Sequence, residues 1–369
     1  MSASTLAALF SPTSLAVILA CTLYGTFIGA MPGLTATMAV ALLVPFTYFM
    51  DPLIAISAIV ATTTTAIFAG DVPGTLMRIP GTPASAAYVE DAYRLSRAGR
   101  SRSTLMVSLF AACIGGLVGV ALLALIAPQL ARVAVQFSSF ETFWLACLGL
   151  SCAVLTSNGS VAKSFSSLFL GLFIATIGID VAVGHPRFTF GNYELFDGIS
   201  FIPAIIGLFA LSEILRSAQI GHRDQPANAA QESFSKALHE AALVLRRFKR
   251  NIARSSVLGT LIGALPGAGA DIAAWICYAI SRRFSRHPER YGTGYIEGVT
   301  DGGSANNAAI GGAWTPALVF GIPGDSVTAI AIGILLLNGM SPGPQIFTES
   351  PELVHTLYGA FALSNLAMI

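Results

Sequence analysis

Apolar residues arrive along this chain in blocks long enough to cross a bilayer, and some blocks are interrupted in the same way. A helix needs roughly 20 apolar residues to span the hydrocarbon. Uninterrupted runs of that kind occupy 105–127, 141–157, 164–183 and 199–215, and a last one runs over 353–369. Four further tracts, 17–48, 53–87, 255–281 and 302–340, carry a Pro-Gly pair inside the apolar run. The phrase GTFIGAMPG at 25–33 recurs as GTLIGALPG at 259–267, with seven of nine letters kept at a shift of 234. A shift of 243 lays Pro73, Pro80 and Gly81 on Pro316, Pro323 and Gly324. Two blocks repeated in the same order predict an internal repeat.

The polar positions add a sidedness. Sixteen of the 20 Lys and Arg fall in three segments: 94–102, 216–254 and 282–290. Basic loops stay cytoplasmic, so these three go inside, and the loops 184–198 and 341–352 go outside. The tract 255–281 is flanked by Arg254 and by Arg282–Arg283. It is too short to cross twice, so it is expected to dip in from the cytoplasm and return. The tract 17–48, with no Lys or Arg before it, would do the same from outside. The expected fold is an all-α polytopic membrane protein with inverted-topology repeats, broken helices and re-entrant hairpins. The first repeat covers 1–215: hairpin 17–48, broken segment 53–87 and the four uninterrupted spans. A cytoplasmic linker follows at 216–254. A second, shortened repeat, 255–369, holds hairpin 255–281, broken segment 302–340 and a last span, 353–369, and is incomplete because nothing in it matches 141–215.

Composition agrees. The chain of 369 residues is 54% hydrophobic and 11% charged, with a mean hydropathy of +0.72; soluble domains carry about a quarter charged residues. A net charge of +1 leaves no nucleic-acid footprint. The five cysteines all sit in apolar stretches without a CxxC, which argues against a disulfide framework or a zinc site. No basic residue precedes the first apolar run, so that segment is expected to stay in the mature protein rather than leave as a signal peptide. HExxH, GxSG and GxxxxGK[ST] do not occur, and the five histidines lie in loops or near span ends. The chain therefore reads as a non-enzyme without a cofactor.

A Pro-Gly break frees backbone groups that hydrocarbon cannot satisfy. Freed N–H groups can meet an anion and freed carbonyls a cation. The candidate binding residues follow from the breaks. The first hairpin offers Gly29, Pro32, Gly33 and Thr35; the second offers Gly263, Pro266, Gly267, Gly269 and Asp271. The broken segments add Thr63, Thr64, Pro80, Gly81 and Thr82, then Asn306, Asn307, Pro323, Gly324 and Asp325. Hydroxyl and amide groups offer hydrogen bonds to a carboxylate, and their oxygens suit a hard cation, so a sodium ion is expected near Asn306 and Asn307. The competing reading for the small residues is close helix packing. Asp71 and Arg78 are charges beside a break: seven residues apart, they would pair if the helix continued; otherwise Arg78 would snorkel to the surface or contact the substrate.

These phrases together resemble the large membrane subunit (TctA family) of the tripartite tricarboxylate transporters. The resembling text runs in order from about residue 17 to 347: GTFIGAMPGLTATMAVALLVPFTYFMDP, AGDVPGTLMRIPGTPASAAY, PRFTFGNYELFDGISFIPAIIGLFALSEIL, GALPGAGADIAAWICYAISRRFS, SANNAAIGGAWTPALVFGIPGD and MSPGPQIF. The resemblance implies a secondary transporter of the bacterial inner membrane that takes up carboxylates with Na+ or H+. Its partners would be a small four-helix membrane subunit and a periplasmic substrate-binding protein. The chain departs from the commoner family spelling at Asp71 and Asp325, where a small polar residue is usual, and at Asp91-Ala92-Tyr93 and Gly302-Gly303. A passive ion channel is the nearest alternative function, and an intramembrane enzyme a more distant one.

Overall fold

The computed structural model describes residues 9–155, 160–180, 185–196, 232–267 and 269–369, with scattered positions between 198 and 215. The span expected at 199–215 lies almost wholly outside the described residues, as do the ends of 141–157 and 164–183 and the first part of the linker.

Helix starts are written locally. α1 (Pro12–Gly29) and α3 (Pro52–Ala69) each place Pro at the first turn, where its missing N–H costs nothing. Between them α2 (Ala36–Thr47) is capped by Thr35, whose hydroxyl accepts from the Met38 amide at 3.2 Å. Asp51 caps α3 through the Leu53 amide at 2.9 Å. α4 (Asp71–Met77) continues the line of α3 and stops at Arg78, which takes left-handed backbone with φ 61°. After α5 (Val89–Leu95) comes α6 (Ser101–Ala134), whose 34 residues give a rod of about 50 Å. α7 (Ser139–Leu155) and α8 (Val161–Ala175) follow, then a short antiparallel ribbon pairing β1 (Gly178–Ile179) with β2 (Pro186–Arg187). The later part holds α9 (Phe234–Arg247), α10 (Lys249–Gly263), α11 (Gly269–Phe284), α12 (Ile296–Phe320), α13 (Ser326–Leu337), α14 (Ile346–Glu349) and α15 (Pro351–Ala367). The stretch read as a linker is thus helical from residue 234, and α10 begins inside it.

The chain is an all-α polytopic membrane protein. Among the described residues three helical stretches, Pro12–Gly29, Pro52–Met77 and Val89–Ala134, the last kinked at Gly99, are long and apolar enough to cross a bilayer. Their amphipathicity is inside out. On α1 the bulky Leu19, Leu23 and Phe27 form an exposed stripe, while Ile18, Cys21, Thr22, Gly25 and Gly29 face the protein. Lipid accepts large apolar side chains as readily as a core does, so the residues that let helices approach are the small ones. α12 shows the extreme case: it is buried from Glu297 to Val319, with α6, α10 and α11 packed around it.

Local geometry recurs at the two sequence shifts. Gly33 and Gly267, 234 apart in sequence, turn the two hairpins with φ 86° and 94°, values that cost side-chain-bearing residues strain. Gly29 lies against the backbone of Ala66, and Gly263 against that of Ala309. The positions after the breaks match at the shift of 243. Arg78 and Gly321 both take left-handed backbone, at φ 61° and 65°. The Ile79 amide donates to the Pro73 carbonyl at 3.3 Å, and the Ile322 amide to the Pro316 carbonyl at 3.3 Å. Thr82 and Ser85 then cap each other reciprocally, with amide-to-hydroxyl distances of 3.1 and 3.0 Å. Asp325 and Thr328 do the same at 2.9 and 2.7 Å.

Candidate functional site

Each hairpin packs chiefly on the long helix that follows it, α1 on α3 and α10 on α12. Its second arm packs on the same helix and also reaches the other half. Trp275 on α11 donates its indole N–H to the Pro83 carbonyl at 2.9 Å, just after the first break, and α2 packs on α13, just after the second. The two halves meet most extensively where α6 lies along α12, and they also meet where α3 and α12 touch. There Asn307 Nδ2 donates to the Thr64 carbonyl at 3.3 Å. Residues 64 and 307 are themselves equivalent at the shift of 243, so the contact joins a position to its own counterpart. Thr64 Oγ1 and Asn307 Oδ1 are buried without a hydrogen-bond partner among the described residues, and a buried polar atom left so asks for an explanation.

Asn306 points to a second group. Its Nδ2 donates to the Tyr88 hydroxyl at 3.3 Å, the Tyr88 hydroxyl donates to Asp71 Oδ1 at 2.8 Å, and the Ser108 hydroxyl donates to Asp71 Oδ2. Asp71, Tyr88 and Ser108 are all buried. From sequence Asp71 stands out only as a charge beside a break and is not among the candidate ligands; Tyr88 and Ser108 carry no signal at all, because their meeting with Asp71 is made by the bend at the break. The pairing of Asp71 with Arg78 does not form. The helix ends at Arg78, which turns outward and binds Glu90 at 2.8 Å.

The remaining candidates divide. Gly267 donates its amide to the Pro323 carbonyl at 3.3 Å, so the second hairpin tip touches the second break, and Asp271 feels the Asp325 carboxylate. Gly269 begins α11 against the carbonyls of Ile262 and Gly263. Gly81 lies on Gly70 and Gly324 on Ala313, folding each break back on its helix. Thr63 spends its hydroxyl on the Ile59 carbonyl at 2.7 Å, Thr82 is taken up in its cap, and Thr35 in the cap of α2. Gly29 and Gly263 serve helix packing. Pro32 and Pro266 lie in the hairpin turns.

Two larger cavities lie elsewhere. One, about 580 Å³, is lined by Arg100, Arg247, Arg290 and Glu240, with Phe248 and Tyr295. Glu240 already holds Arg100 at 2.8 Å there. The other, about 330 Å³, is lined by apolar side chains and Gln345 beside Gly321 and Ile322. The polar network at the meeting of the halves is the better candidate, because it alone combines buried, unpaired oxygens with both asparagines. Below it the halves are locked by Asp91. Its carboxylate accepts from the Tyr278 hydroxyl at 2.7 Å and from the amides of Gly292, Gly294 and Tyr295 at 3.1, 2.8 and 2.9 Å.

A helical membrane protein with two broken segments joined at a buried polar seam has the architecture of a solute carrier. The tripartite tricarboxylate transporter TctA family matches residues 15–369, and the chain belongs to it. It is 33% identical over 347 residues to a protein of Agrobacterium vitis described as an uncharacterized 52.8 kDa protein in the TAR-I ttuC' 3' region, covering 94% of this chain and 68% of that one. A second Agrobacterium vitis protein, from the TAR-II ttuC' 3' region, is 38% identical over 76 residues, covering 21% of this chain and 31% of that one. No solved structure matches.

Proposed function

We propose that this chain is the large membrane subunit of a secondary active importer of small carboxylates, driven by Na+ or H+. Family membership makes it a component of a tripartite transporter; substrate, coupling and the site are our reading. The observation that carries it is the seam where Asn307 meets Thr64, position against counterpart, with buried oxygens of both left unpaired among the described residues. A solute bound there would be shared by both halves, so a shift of one half against the other would change its access from one face to the other. The hairpins would enter from opposite faces, as the charge pattern argues. Sodium near Asn306 and Asn307 belongs to this reading. So do a small four-helix membrane subunit, a periplasmic binding protein that delivers the carboxylate, and residence in the bacterial inner membrane.

The test is uptake by proteoliposomes holding this chain and its small membrane partner, with a panel of labelled di- and tricarboxylates. One or more should accumulate above equilibrium when an ion gradient and the binding protein are both present. Flux that only equilibrates, with or without the binding protein, would instead establish the channel alternative.

A further inference from the structure

We propose that Asp71 and Thr75 form a sodium site that is separate from the seam and communicates with it through Tyr88. The proposal rests on the transport reading and adds a second sodium position to the one proposed near Asn306 and Asn307. Positions i and i+4 of a helix share a face, so α4 puts Thr75 on the same face as Asp71. Both residues line one small cavity of about 10 Å³, together with Ser85, Tyr88 and Ser108. That is room for a single water-sized body, not for a hydrated ion. Asp71 is 4% exposed and Thr75 1%. Two hydroxyls donate to the carboxylate, yet among the described residues no Lys, Arg or His pairs with it, since Arg78 goes to Glu90. Thr75 Oγ1 is buried without a hydrogen-bond partner among the described residues. A carboxylate short of positive charge and a hydroxyl short of a partner, lining one ion-sized space with the hydroxyls of Ser85, Tyr88 and Ser108, make an all-oxygen surrounding of the kind a hard monovalent cation prefers. The link to the seam is direct: Tyr88 holds Asp71 with its proton and accepts from Asn306 with its lone pair. Filling the site would therefore set the Tyr88 hydroxyl and, through it, the amide of Asn306.

The experiment is equilibrium binding of radioactive sodium to the purified full-length chain in nanodiscs, without substrate or partners. The wild type should bind Na+ saturably. Asp71→Asn, which keeps the shape and one of the two hydroxyl contacts while removing the charge, should weaken binding at least about tenfold. Thr75→Val, which removes only the hydroxyl, should weaken it as well, and Thr75→Ser should bind as wild type. Absence of saturable binding in the wild type, or unchanged binding in both Asp71→Asn and Thr75→Val, overturns the site. Should Asp71→Asn not fold, the Thr75 pair decides. Carbon accumulation without sodium binding would sink the site and leave the transport reading standing; sodium binding in a complex that never accumulates carboxylate would do the reverse.

Discussion

Asn307 spends its one visible hydrogen bond on a backbone carbonyl of the opposite half and leaves its side-chain oxygen for something else. If that something is the sodium ion proposed near Asn306 and Asn307, Asn307→Ala should raise the Na+ concentration that half-saturates carboxylate uptake about tenfold, the worth of one buried polar contact. The protein's melting temperature should hardly move, because only a single long contact is lost. Unchanged uptake kinetics would remove Asn307 from the site. Asp91 predicts the opposite pattern. Asn has one acceptor oxygen where the carboxylate has two, and four donors converge on Asp91. Asp91→Asn should cost roughly 1–3 kcal/mol through donors left unpaired. The check is thermal unfolding of the detergent-purified chain followed by fluorescence; a melting temperature equal to wild type would contradict the lock.

Helices here touch through glycine, and that makes their stability testable element by element. A Cβ at Gly29 or Gly263 would collide with the backbone of Ala66 or Ala309, which cannot move aside as a side chain can. Either Gly→Ala change should destabilise by about 1–3 kcal/mol. Gly171, on the exposed face of α8, meets nothing within 4 Å, so Gly171→Ala should be neutral or gain up to about 1 kcal/mol from helix propensity. Unfolding midpoints of the three variants settle the contrast. Much at this scale was legible in the sequence. Pro-Gly phrases located the turns and breaks, and a shift of 243 paired residues that the structure shows in the same hydrogen-bonded geometry. What was not legible was which small residue binds and which packs. Thr63 and Thr64 are adjacent and chemically identical, yet one bonds its own helix and the other faces the seam. That difference depends on helix rotation against a neighbour far away in sequence. The Asp71 cluster escaped for the same reason: its partners lie 17 and 37 residues on and meet only because the chain bends at Arg78.

For the whole molecule the open question is sidedness. The charge pattern sends the base of the first hairpin outside and that of the second inside. Phe49 and Phe284, at those bases, are 86% and 73% exposed. In a background without native cysteines, Phe49→Cys should react with a membrane-impermeant maleimide added to right-side-out vesicles. Phe284→Cys should react only after the vesicles are inverted. Labelling of both from one face would show the hairpins entering in parallel and end the inverted-repeat reading. The arginine-lined cleft at Arg100, Arg247 and Arg290 belongs with the inner face on the same argument.

Asp71 has a counterpart. At the shift of 243 its place is taken by Trp314, whose indole packs edge-on to Phe361 at 6.0 Å deep in the apolar core. One bend thus encloses an acid in one half and an aromatic ring in the other, while its left-handed turn and its cap stay the same. The hinge does not care what it surrounds. A duplicated scaffold with that indifference lets one copy keep the framework upright while its twin drifts toward new chemistry, and the two-fold resemblance of the chain is for that reason a resemblance of skeleton rather than of contents.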